Sequence, residues 1–202
     1  MSFHIFSKFS RTPSSIDFLV VGLGNPGDQY QNTRHNAGFM AMDLLCEKEN
    51  LAVKKSKFHS LCGEWTVENH RVLLMKPQTF MNNSGQAIRE AASFYKIPAE
   101  NVLVLVDDTA LEPGTIRIRK SGSPGGHNGL KSVEACLSSK DYPRIRIGVG
   151  AKPPERDMIN WVLSVPEPNA LKAVKQSLEA CCEAIPAIVC GKTDAAMNQH
   201  NR

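Results

Sequence analysis

No apolar run in this chain reaches the ~18 residues that a membrane-spanning helix requires, so the sequence offers no candidate span. The six cysteines (46, 62, 136, 181, 182 and 190) form no C-x-x-C pair, and none neighbours a histidine at metal-ligand spacing. They read as reduced core or surface thiols, which predicts a cytoplasmic protein. Neither H-E-x-x-H nor G-x-S-x-G occurs, so zinc-protease and α/β-hydrolase chemistry lack their signatures. Repeats and low-complexity tracts are missing as well. Residues 1–15 contain no acid and end in Thr-Pro-Ser-Ser. Such a start imitates a transit peptide, but it is short and has few basic residues, and a loosely ordered N-terminal extension is expected.

What is present suits one soluble domain. The chain has 202 residues, 42% hydrophobic and 22% charged, enough to bury a sizeable core over residues 16–202 without staples. The net charge of +4 is too mild to name a partner. Its distribution says more: residues 115–150 hold seven basic side chains (Arg117, Arg119, Lys120, Lys131, Lys140, Arg144 and Arg146) against Glu134 and Asp141. The rest of the protein is nearly neutral. A basic patch of this kind suits a polyanion, and ordinary solvated surface is the plainer alternative.

Periodicity supplies the fold class. Residues 18–21 read as a strand, 39–49 as a helix with Asn36 at its N-cap, and 64–68 with 71–75 as a hairpin turning at Asn69-His70. Residues 86–95 place Ala87, Ile88, Ala91, Ala92 and Tyr95 on one helical face. The continuous apolar run 102–106 marks a strand covered on both sides. Residues 115–119 and 144–149 alternate strictly, with the isoleucines on one face and the arginines on the other. Residues 167–189 form an amphipathic helix, expected to bend or break at Pro186 and to stop at Gly191. Strands alternating with helices predict a single-domain α/β sandwich, its twisted, mostly parallel mixed sheet flanked by helices.

The stretch GLGNPG at 22–27 fits G-x-G-x-x-G. In a dinucleotide-binding turn the third glycine lies in the first turn of a helix, whose amides meet the pyrophosphate. Here Gly27 follows a proline and leads into a polar run without helical period. The acids at the expected ribose distance, Asp43 and Glu47, fall inside the later helix. The glycines are therefore not expected to hold a cofactor. Gly191-Lys192-Thr193 resembles the end of a P-loop, but Pro186 stands where the leading glycine is needed.

Four loops carry groups suited to polar catalysis: Asn25 to His35-Asn36, Thr79 to Ser84, Asp107-Asp108, and Gly125 to Gly129. Their asparagines offer donors and an acceptor without charge, which suits an ester or amide and its oxyanion. Each residue taken singly has a structural alternative as a cap or turn residue.

G-L-G-N-P-G-x-x-Y-x-x-T-R-H-N-x-G at 22–38, K-P-x-T-F-M-N at 76–82 and G-G-H-N-G-L-K at 125–131 resemble bacterial-type peptidyl-tRNA hydrolase, and R-I-R-I-G-V-G at 144–150 agrees. The resemblance covers most of the chain from about residue 17. It implies hydrolysis of the ester joining a peptide to the 3′-terminal ribose of tRNA, by a monomer that needs no cofactor or metal. It makes His35 the general base on a water, with Asp107 as the acid that orients it. An imidazole is substantially neutral at pH 7, as a base must be; a helix start near Asn36 disfavours imidazolium, while a carboxylate favours it. Asn25 and Asn82 correspond to substrate contacts at the scissile bond, aligning the carbonyl or stabilising its oxyanion. Tyr30 is grouped with them, Met81 with the peptide channel, and Asn128 with substrate binding and the water. His127 is expected to make a structural hydrogen bond. Arg117, Arg119, Lys120, Lys131 and Arg146 would meet tRNA phosphates. The sequence departs from the pattern at Ala110, where relatives often have a second acid, and at Pro124. A non-catalytic RNA-binding relative is the rival reading, and the intact polar set argues against it.

Overall fold

The computed structural model describes residues 15–201, so the extension expected over 1–15 falls outside them except for Ser15. Strands β1 (Phe18–Gly22) and β5 (Val102–Asp108) are buried along their whole length. Strand alternation sends Phe18, Val20, Leu103 and Leu105 to one face and Leu19, Val21, Val102, Val104 and Val106 to the other. A strand apolar on both sides needs cover on both sides. Helices α1 (Ala37–Lys48), α5 (Pro168–Val189) and α6 (Thr193–His200) cover the first face; α2 (Ser84–Tyr95) and α3 (Asn128–Leu137) cover the second.

β1 and β5 pair in parallel, flanked in parallel by β4 (His70–Pro77) and β7 (Arg144–Gly148). Antiparallel β3 (Ser60–Val67) and β2 (Lys55–Lys57) extend one margin, and β6 (Ile116–Arg119) closes the other. The order is β2-β3-β4-β1-β5-β7-β6. This is the α/β sandwich with a mixed sheet expected from the sequence. In such a sheet, loops beyond the carboxyl ends of the parallel strands meet in a crevice.

Three local expectations change. The hairpin turns at Glu68-Asn69, because Val67 pairs with His70 and Glu68 takes the positive φ, 49°, that a tight hairpin turn demands. α5 runs through Pro186 to Val189. The missing backbone donor does not break it, since Ile185, Ile188 and Val189 are buried against the sheet. Gly191, with φ 74°, ends the helix as expected, and Lys192 N–H closes on the Ala187 carbonyl at 2.8 Å. Asn36 precedes α1, but its side chain caps nothing.

The glycines of the N-terminal motif serve close packing. A Cβ on Gly22 would stand 2.3 Å from the Gly38 carbonyl oxygen, and one on Gly38 only 2.4 Å from the Leu105 oxygen. α1, which starts only at Ala37, therefore lies directly on the backbone of β1 and β5. Gly38→Ala is expected to lower the unfolding free energy by about 1–3 kcal/mol, read from urea midpoints; an unchanged midpoint would mean that the contact opens without cost. α2 and α3 touch in the same way, with a Cβ on Gly85 falling 2.1 Å from the Ser132 carbonyl oxygen.

Candidate active site

Beyond the carboxyl ends of β1, β4 and β5 lies a cleft of about 660 Å³. Asn25 and His35 reach it from the segment after β1, Phe80, Met81 and Asn82 from that after β4, and Asp107 from the end of β5. The Gly125–Asn128 loop and the short helix α4 (Met158–Val162) form the remaining sides.

At its floor two imidazoles converge on one carboxylate oxygen. His35 Nδ1 and His127 Nε2 each lie 2.9 Å from Asp107 Oδ1, with ring centroids 4.9 Å apart. A carboxylate only accepts, so both nitrogens carry hydrogen. The Asp107 side chain is 2% exposed. Burial pushes its carboxyl pKa upward, but the charges and hydrogen bonds of His127 and His35 outweigh that and hold it well below the usual carboxylate range. His127 is tied at its other end: Nδ1 accepts Leu130 N–H at 3.3 Å and caps α3. Its ring is thereby engaged in structure, as the sequence suggested, yet it also supports the carboxylate. His35 Nε2 has no hydrogen-bond partner among the described residues; with Nδ1 donating to Asp107, a neutral imidazole keeps its lone pair on Nε2.

Asn25 and Asn36 bind reciprocally, Asn25 N–H donating to Asn36 Oδ1 at 2.8 Å and Asn36 Nδ2 to the Asn25 carbonyl at 3.0 Å. This is what the Asn36 side chain does in place of capping. Asn25 Oδ1 accepts Met81 N–H at 2.8 Å, which joins the loops after β1 and β4 and leaves the Asn25 Nδ2 hydrogens for a ligand. Asn82 and Asn128 are exposed, line the cleft and make no side-chain hydrogen bond within the described residues. Met81 is buried beneath them. Tyr30 is the exception: it sits in the Asp28–Tyr30 turn, outside the residues lining the cleft.

The basic residues divide. The register sets Arg117 opposite Arg146 and Arg119 opposite Arg144 on one face, as alternation predicted. Arg144, however, is no surface group. It is 1% exposed and donates to the Gly122, Lys140 and Tyr142 carbonyls, stapling the 120–142 segment. Arg146 lines the cleft with Nε 2.8 Å from Asp108 Oδ2, an ion pair without hydrogen-bond alignment. Lys120 pairs with Asp194. Arg119 and Lys131 are exposed without an ion pair among the described residues, and Arg117 is half-buried. Asp108 Oδ1 also accepts Ala110 N–H at 2.9 Å, so the loop is ordered without an acid at 110.

One part of the cleft was not anticipated. α4 contributes Met158, Ile159 and Val162; Asp157, which caps it by accepting Asn160 N–H at 3.1 Å, was the available signal. Phe80 stands 51% exposed at φ 58° and ψ 162°, backbone territory that is nearly exclusive to glycine. The thiols lie elsewhere: none of the six cysteines lines the cleft, and burial raises Cys46 and Cys62 to about 11. His35, Asp107 and His127 have ligand atoms within 4.8 Å of one another. They could hold a divalent ion only by giving up both N–H···O bonds.

The chain is similar to known proteins in sequence and in fold. The family model described as peptidyl-tRNA hydrolase matches residues 19–202. Peptidyl-tRNA hydrolase of Caldanaerobacter subterraneus subsp. tengcongensis is 46% identical over 184 residues, covering 91% of this chain and 99% of that protein. That of Clostridium novyi is also 46% identical over 184 residues, covering 91% and 97%. The crystal structure of peptidyl-tRNA hydrolase from Acinetobacter baumannii matches with a TM-score of 0.86 at 35% identity, over 93% of this chain and 96% of that one. Since the match runs from the first core strand to the last helix, the chain belongs to the peptidyl-tRNA hydrolase family.

Proposed function

We propose that the cleft hydrolyses the peptide–ribose ester of peptidyl-tRNA with water as nucleophile and His35 as its general base. The observation that carries this reading is the Asp107 contact at His35 Nδ1, which turns the unpartnered Nε2 into the proton acceptor. The water oxygen attacks the ester carbonyl carbon while Nε2 takes a proton. Asp107 stabilises the imidazolium so formed. The tetrahedral intermediate then expels the ribose 3′-oxygen, which recovers the proton from His35. The amide groups of Asn25, Asn82 and Asn128 supply neutral donors for the oxyanion and the water. An ester needs no thiol or serine nucleophile, and the placement of the cysteines is consistent with that. A monomeric enzyme is proposed, as the family resemblance implies. Its substrate is a ribosomal product, which supports the cytoplasm as its place of action.

Release of a labelled N-acetyl-amino acid from its tRNA ester tests the reading directly: the enzyme releases it, whereas a binding module retains tRNA and releases nothing. Arg117, Arg119, Lys120, Lys131 and Arg146 are proposed to bind phosphates, with Arg119 and Lys131 the most available. Replacing Arg117 and Arg119 together by alanine is expected to weaken tRNA binding and to flatten its salt dependence, by about one unit of slope for each phosphate that is no longer neutralised. An unchanged slope returns both residues to ordinary surface.

A further inference from the structure

A buried guanidinium ordinarily ends on a carboxylate. Arg34, the residue before His35, does not. It is 3% exposed, and among the described residues no carboxylate pairs with it. Its Nη1 donates to the Ser164 hydroxyl at 2.7 Å and to the Ser164 carbonyl at 3.3 Å. Its guanidinium carbon stands 3.5 Å from the Trp161 ring centroid, its backbone N–H reaches the Ser164 carbonyl at 3.1 Å, and Nε is buried without a partner.

Every one of these contacts goes to α4 or to the residues just after it. α4 has five residues, too few to hold a helix by its own hydrogen bonds. It presents Met158 and Ile159, 45% and 63% exposed, to the cleft. Apart from the Arg34 contacts, the indole N–H of Trp161 donates to the Gly150 carbonyl at 3.1 Å.

We propose that Arg34 is a positioning residue that clamps α4 to the turn carrying His35, so that an apolar wall for the peptide part of the substrate keeps its register with the base. The proposal rests on His35 being that base. The flat guanidinium suits the task, because it stacks on an indole while its edge donates two hydrogen bonds, which an ammonium does not.

Trp65→Phe leaves Trp161 as the sole tryptophan of the chain's two and serves as the background. In it, Arg34→Met keeps an unbranched apolar stem but removes the guanidinium. Acrylamide quenching of Trp161 is expected to rise severalfold. kcat/KM for a tetrapeptidyl-tRNA with apolar residues is expected to fall about tenfold, mostly through KM, and that for N-acetyl-glycyl-tRNA to fall much less. Arg34→Lys should behave like the methionine variant. Ser164→Ala, which removes the hydroxyl that accepts from Arg34 Nη1 and donates to the Trp161 carbonyl at 2.7 Å, should show the same pattern at lower amplitude, and Arg34→Lys decides the matter if Arg34→Met does not fold. Unchanged quenching, an equal loss on both substrates, or full rescue by lysine would overturn the clamp. His35→Ala should lose activity with wild-type quenching, so failure of the base and failure of the clamp read out separately.

Discussion

His35→Ala is expected to lower kcat/KM for peptidyl-tRNA by about 10²–10⁴-fold, the usual contribution of a general base. The loss should fall on kcat, because the proposed mechanism has the side chain abstract a proton in the transition state and bind little of the tRNA. Stability should fall only moderately: a largely buried side chain and its hydrogen bond to Asp107 are lost, but Asp107 keeps His127 as a hydrogen-bonded partner. Thermal unfolding beside the kinetics separates a missing base from a missing fold. A variant that turns over at the wild-type rate would remove His35 from the reaction.

Asp107→Asn is expected to lose about 10²–10⁴-fold in kcat as well, for an electrostatic reason. The amide oxygen still accepts a hydrogen bond, but the charge that stabilises an imidazolium on His35 is gone. The same substitution has a signature in acid. The Asp107 carboxyl is held below its ordinary value of 3.8 in the folded state. A carboxyl depressed by folding stabilises the native state above its unfolded pKa, and the contribution is lost as pH falls through the folded value. The stability difference between wild type and Asp107→Asn should therefore change against the wild type as the pH is lowered from about 4 into strong acid. Urea midpoints along that series check it; a difference constant into strong acid would mean that the two imidazoles do not hold the carboxylate.

Legibility in the sequence followed the length of the signal. The central strands declared themselves because a strand covered on both sides must be apolar throughout, and the arginine faces of β6 and β7 followed from a period of two. α4 escaped because five residues hold too little periodicity, and Arg144 because alternation assigns a face but not a depth. Only the folded chain places its guanidinium among three loop carbonyls. The motifs named His35, Asp107, Asn25, Asn82 and Asn128, and the folded chain places all five in the cleft lining. What they could not convey was that one oxygen of Asp107 serves two rings, since residues 35, 107 and 127 meet only through tertiary packing. Tyr30 marks the opposite limit: sharing a motif with Asn25 and His35 did not bring it to the cleft.

The close approaches at glycine also bear on how such a cleft can diversify. Gly38 and Gly85 seat the helices so near to neighbouring backbone that a single methyl has no room, and a Cβ on Gly129, beside Asn128, would fall 2.5 Å from Met81 Sδ. The helix packing behind the cleft is thus fixed and resists redesign. Met158 and Ile159 meet no such barrier, being largely open to solvent. Libraries meant to alter which peptides are accepted belong at those two positions, where new side chains can be tried without disturbing the hydrogen-bonded floor.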